Sequence, residues 1–296
     1  MRTSNVNAIV AAVLALLTGA VCAQARPDMG KLLATSGVMQ IEGAGGGGLV
    51  PWALITGYGT RDSYGANAHV TALRTQDYAI TTHGVAIGIA DRLELSLARQ
   101  RFNGTGGPLD NVSVGQDIVG LKLKVAGDAV YGQDGFLPQI AVGLMSKHHS
   151  GVKGLTGVGS VRDFGARREH GLDYYVAATK LLLSHRILLN GTLRATRANQ
   201  MGLLGFGGDG RNRYEFVPEV SAAYLVNRAL VVGAEYRVKP HYNLSFDKEQ
   251  DYYDAFVAYL PSKNFSLTAA YVALGDITIL NPRRQRGIYL SLQTGF

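Results

Sequence analysis

The sequence predicts an all-β chain folded as an antiparallel transmembrane β-barrel of about fourteen strands. Three observations carry that expectation. Residues 287–296 alternate strictly: Ile288, Leu290, Leu292, Thr294 and Phe296 share one face, and Gly287, Tyr289, Ser291, Gln293 and Gly295 share the other. A period of two means a strand, and here the polar face is uncharged and the chain stops on an aromatic residue, where a soluble sandwich would show charges and a trailing segment. Secondly, no stretch approaches the ~20 continuous apolar residues of a helical span, so a membrane crossing must be a closed barrel that pairs every backbone group in lipid. Thirdly, the joints between alternating stretches are short on one side and long on the other, as periplasmic turns and extracellular loops are.

Taken in order, residues 1–25 read as an export signal of the Sec route. Arg2 gives a positive start, residues 9–21 form an apolar run too short to span a bilayer as a helix, and Ala23 or Ala25 ends a small-residue cleavage site. Cleavage at either point removes Cys22, the single cysteine, and with it disulfides, thiolate metal sites and Cys nucleophiles. Retention of Cys22 as a lipid anchor is disfavoured by Val21 before it. Residues 26–296 then form one domain, since no Pro- or Ser-rich linker divides them.

Within that domain strands are expected at 37–43, 50–59, 67–75, 78–90, 92–102, 113–125, 138–147, 173–183, 186–196, 214–225, 229–238, 252–260, 265–274 and 287–296. Gly45 to Gly48 supply a tight reversal between the first two. The even number puts both ends of the wall on the periplasmic side. Short joints at 184–185, 226–228 and 261–263 alternate with long ones at 103–112, 148–172, 197–213, 239–251 and 275–286. The stretch 126–137 breaks the rule: either it is an elaborated turn, or the count is off by a pair and the barrel has twelve strands. Outward faces gather Tyr214, Phe216, Tyr236 and Tyr271 near one end and Tyr224, Tyr259, Phe265 and Phe296 near the other, two aromatic girdles such as headgroup regions select.

Four stretches, 48–62, 98–102, 199–209 and 233–240, with Gly127-Asp128-Ala129-Val130, resemble a proteobacterial family of exported proteins of unknown function with a porin-like, Gram-negative outer-membrane character. The resemblance implies compartment and carries over no catalytic or binding residue. The terminal Phe296 is similar to the signal read by the barrel-insertion machinery.

The chain carries 29 basic and 22 acidic residues, a formal charge of +7, but the excess is spread out and no basic run interleaved with aromatics suggests nucleic acid. Both G-x-G-x-x-G spacings, 43–48 and 205–210, lack a following helix and read as loops. Inward-facing charges are expected at Arg92, Glu94, Lys122, Lys124, Lys180, Arg186, Arg194, Glu215, Glu219, Glu235, Arg237 and Asp254. They describe either a wet lumen that filters small hydrophilic solutes by sign, with Lys180, Arg186, Arg194, Glu235 and Arg237 as its lining, or opposite charges that pair and fill the barrel. The expected function is a passive outer-membrane channel. The rivals are a non-conducting barrel whose loops bind a surface partner or lipopolysaccharide, and a lipid-modifying enzyme. Arg99 and Arg101, outward near the outer rim, are candidates for lipopolysaccharide phosphates. His83 on an outward face lacks a nucleophile and an orienting partner, so no catalytic residue is assigned. His148, His149 and His170 lack a fixed ligand spacing, so neither metal nor cofactor is expected.

Overall fold

The computed structural model describes residues 31–33, 35, 38–130, 132, 135–241, 243–244, 249–277, 281 and 283–296; the expected export signal lies outside them. Period-two alternation becomes strand at β1 (Tyr64–Thr75), β2 (Tyr78–Ile89), β3 (Leu93–Gly104), β4 (Ser113–Ala126), β5 (Gln139–Lys153), β6 (Ala166–Arg168), β7 (His170–Leu182), β8 (Ile187–Thr196), β9 (Phe206–Gly208), β10 (Glu215–Leu225), β11 (Leu230–Arg237), β12 (Tyr252–Ser262), β13 (Phe265–Gly275) and β14 (Gln285–Gly295). All but the short β6 and β9 join one closed barrel, each strand antiparallel to its chain neighbour in the wall, and β14 returns to β1 from Asn67↔Gly295 to Thr75↔Gly287. β6 and β9 pair with each other as a ribbon between two loops.

The barrel is apolar outside and polar inside. In β14, Ile288, Leu290 and Leu292 are about half exposed, while Ser291 and Gln293 on the opposite face are buried. A soluble sheet would bury the leucines, so water is not the solvent this surface is built for. The wall strands run from 8 to 15 residues, which brackets the ~9–11 needed to cross a bilayer on a slant. Exposed Phe216, Tyr236, Tyr253 and Tyr271 stand toward one end and exposed Tyr224, Tyr259 and Phe265 toward the other.

The wall has twelve strands, not about fourteen. The two expected first strands, 37–43 and 50–59, are absent from it; their described residues are buried inside the barrel and form no ladder with the wall, their own pairing being the isolated bridges Met39↔Gly45 and Gly46↔Pro51 and a few turn hydrogen bonds such as Ile41 N–H to Gly48 O. The physical reason is space. About eight strands leave room that side chains alone fill, and sixteen or more leave a channel; twelve leave a void that a folded-back segment fits. Joints at 90–92, 183–186, 226–229 and 263–264 are tight at one end, and those at 105–112, 154–169, 197–214, 238–251 and 276–284 are long at the other. Residues 127–138 form a longer joint at the tight end and 76–77 a tight one at the loop end, so the two orders of joint are not perfectly segregated.

Candidate functional site

Residues 38–56 form a plug across the lumen. A segment without sheet pairing must satisfy its backbone elsewhere, and here the inward side chains of the wall do so. Glu94 accepts from the backbone N–H groups of Gly45 and Thr56, both at 2.9 Å. Lys122 donates to the carbonyls of Gly45 and Leu54 at 2.8 and 2.9 Å, and Lys122 and Glu94 pair at 3.0 Å. Farther round the wall, Gln139 donates to Ala53 O at 2.7 Å, Thr192 to Pro51 O at 2.8 Å and Gln100 to Ile41 O at 2.7 Å. Trp52 is buried with its indole N–H 3.0 Å from Ser221 Oγ.

The polyglycine stretch is needed for approach. A Cβ at Gly47 would stand 1.9 Å from Glu235 Oε1, and one at Gly48 would stand 3.0 Å from Asp254 Oδ2. Bare backbone lets Leu49 N–H reach Glu235 Oε2 at 2.6 Å. Gly45–Gly48 do reverse the chain as expected, but within the lumen and between plug segments rather than between wall strands.

At the centre three carboxylates meet three cations. Glu42 of the plug pairs with Lys147, with Arg237 at 2.7 Å and with Arg194 at 3.5 Å. Asp173 accepts from Lys147 at 2.7 Å, and Glu219 binds Arg194 at 2.5 Å and Arg237 at 3.2 Å. All six side chains are at most 3 % exposed. Three against three leaves no net charge, which is how six ionised groups are tolerated away from water. Outside this cluster Asp254 is an exception: it lies across from Glu235 in the β11–β12 register, 3 % exposed, and neither of its oxygens has a hydrogen-bond partner.

At the loop end Lys239 binds Glu249 at 2.6 Å; burial pulls its ammonium below the usual lysine range, against the opposing pull of Glu249. Asp77, in the β1–β2 turn, accepts from Asn281 at 3.0 Å and Gln285 at 2.7 Å, with Arg283 at 3.4 Å. Those hydrogen bonds, more than the Arg283 charge, hold its carboxyl below the usual range.

Of the five residues expected to line a passage, Arg194, Glu235 and Arg237 do point inward, but each is locked to the plug or its charge cluster. Lys180 and Arg186 correct the expectation. Lys180 lies on the outer phase of β7 and donates to Gly135 O, because Asp173, Tyr175 and Thr179 take the inner phase. Arg186 is an exposed turn residue with φ 58°, one position before β8. Arg92 is likewise an exposed turn residue. Lys147, Asp173 and Glu42 were missed; Lys147 and Asp173 sit at expected strand ends, and the role of Glu42 depends on a fold-back that alternation does not encode. Arg99 faces outward in a bidentate pair with Asp117 at 2.7 and 2.9 Å, while Arg101 is exposed. His83 is exposed and opposite Arg99. His148 and His170 stack outward at 5.3 Å, whereas His149 reaches Leu203 O at 3.0 Å. Phe296 backbone groups clasp Tyr58 and Ala66 at 3.0 Å, tying the exit of the plug to the start of β1.

A closed antiparallel barrel, greasy outside and stopped from within by its own chain, is the class of protein these observations define. The chain belongs to a family described as protein of unknown function (DUF3034), whose model matches residues 35–293. Among solved structures it is similar to the NanC porin at 9 % identity and a TM-score of 0.52, over 77 % of this chain and 98 % of that one. It is also similar to an outer-membrane channel from Pseudomonas putida F1 (10 % identity, TM-score 0.46, 84 % and 97 % covered). Outer membrane phospholipase A from Escherichia coli matches at 8 % identity and a TM-score of 0.42, over 81 % and 94 %. At such identities the likeness speaks for the fold alone. No curated protein matches.

Proposed function

We propose that the chain is an integral outer-membrane barrel held shut at rest by residues 38–56, a channel for small hydrophilic solutes only when that plug withdraws. One observation carries the reading: Glu42, Lys147, Asp173, Arg194 and Glu219, inside the lumen, are 0 % exposed. A standing water column would wet them. Export by the Sec route and recognition of Phe296 by the insertion machinery belong to the same proposal. So does contact of exposed Arg101 with lipopolysaccharide phosphate; Arg99, already held by Asp117, is the weaker member of that pair. No catalysis is assigned. The test is single-channel recording of the purified full-length protein in planar bilayers: the wild type is expected to be silent, and steady conductance from it would overturn the plug as a seal.

A further inference from the structure

The inner face of the barrel changes character toward the loop end. On the β2–β4 side that end is hydrocarbon: Ile80 of β2, Phe102 of β3 and Val114 of β4 are all buried and turned inward. With Leu109 and Val112 from the β3–β4 joint and Met201 and Leu203 from the β8–β10 joint, they enclose a hollow of about 50 Å³. Half-buried Phe164 and Leu204 complete its lining from two of the long loops.

The floor of that hollow is held under strain. Gln200 and Met201 both have left-handed backbones, φ 46° and 61°, in non-glycine residues. Such conformations are strained and persist where surroundings over-determine them. Here the polar layer beneath does so: Met201 O accepts from Lys147 at 3.0 Å and Gln116 at 3.3 Å, and Gln200 N–H donates to Glu249 at 2.9 Å. The loop is thereby pinned with Met201, Leu203 and Leu204 against the hollow rather than collapsed into it.

We infer that this hollow is a binding site for a small uncharged hydrocarbon, a single ring or a short alkyl chain. The one side-chain amide in the lining, Gln200, has both ends committed: its amide nitrogen donates to Ile277 O at 2.9 Å, and its oxygen accepts from Tyr252 and from Lys239 at 3.3 Å. The cations that touch its lining are all paired with carboxylates: Lys239, at Gln200, with Glu249, and Lys147 and Arg237, at Met201, with Glu42. A ligand with a charged head would find no counter-charge there, and water would find no partner, so the hollow stays dry and prefers carbon. A ring is larger than the resting hollow and enters as Phe164 and Leu204 turn outward. The inference is independent of whether the plug moves.

Toluene is the probe, titrated onto full-length protein in lipid nanodiscs and read by saturation-transfer NMR with empty discs subtracted. Saturable binding is expected from toluene and not from benzoate. Leu204→Trp, at the solvent side, and Ile80→Phe, in the wall, are each expected to weaken it at least tenfold, with heat-modifiable gel migration confirming that each variant is folded. Toluene signal no greater than that of empty discs, or equal binding in both folded variants, overturns the site. Binding of decanoate without toluene overturns the free hydrocarbon in favour of an acyl tail.

Discussion

Glu42→Gln is the substitution that most directly tests the plug. The side chain keeps its shape but loses its charge, and Lys147, Arg194 and Arg237 are left against only Asp173 and Glu219, with one buried positive charge uncompensated. Breaking one member of a buried ionic set costs about 3–5 kcal/mol, which at about 1.4 kcal/mol per factor of ten shifts the ratio of seated to withdrawn plug by roughly two to four orders of magnitude. The chain reports the event itself, because Trp52 is its only tryptophan and lies buried in the plug. Wild type should be electrically silent with blue-shifted Trp52 emission; the Glu42→Gln variant should open in planar bilayers while its emission moves red. Adding Lys147→Met removes the surplus charge and should restore silence. If Glu42→Gln is as silent as wild type, with unchanged emission and melting temperature, then the ionic cluster does not seat the plug and the reasoning fails.

Four further outcomes follow from the same geometry. Asp254→Leu replaces a buried carboxyl group that has no partner and faces Glu235 with an apolar side chain of similar shape, so the melting temperature should rise, equivalent to about 1–3 kcal/mol; a fall would mean that the carboxyl group is needed. Gly47→Val drives a side chain into the Glu235 carboxylate, and the displaced plug should show as red-shifted Trp52 emission, with an overpacking cost of about 1–3 kcal/mol. Leu290→Arg, on the apolar outer face, should destabilise the folded barrel by up to about 2–4 kcal/mol in urea titrations in lipid vesicles, depending on depth, whereas Ser291→Thr on the inner face should be far milder. Because the carboxyl of Asp77 is held low in the folded state, its contribution is present above the unfolded value of about 3.9 and is lost as pH falls through the folded value. The melting-temperature gap between wild type and Asp77→Asn should therefore close below about pH 4, and a gap that widens there would refute the assignment.

Period-two alternation marked all twelve strands of the wall and, for most of them, which side meets hydrocarbon, since side-chain direction in a strand is a local property. Ile288, Leu290 and Leu292 are outward in the sequence pattern and in space. The order of turns and loops was legible for a similar reason, because turn residues act on their immediate neighbours. Phase was less secure where both faces are mild: in β7, Tyr174 and Tyr175 alternate with little contrast, and Lys180 was placed inside although the buried Asp173 and Tyr175 fix the opposite phase. Only the tertiary structure decided that 37–43 and 50–59 fold into the barrel instead of widening it. Choosing between a lumen and a lateral edge depends on the circumference that the other twelve strands close and on partners such as Glu94, Lys122 and Glu235, which lie 38 to 186 residues away along the chain. The ionic cluster of Glu42 belongs to the same class of fact: three carboxylates and three cations drawn from a plug and five wall strands become one neutral unit only when closure brings them together.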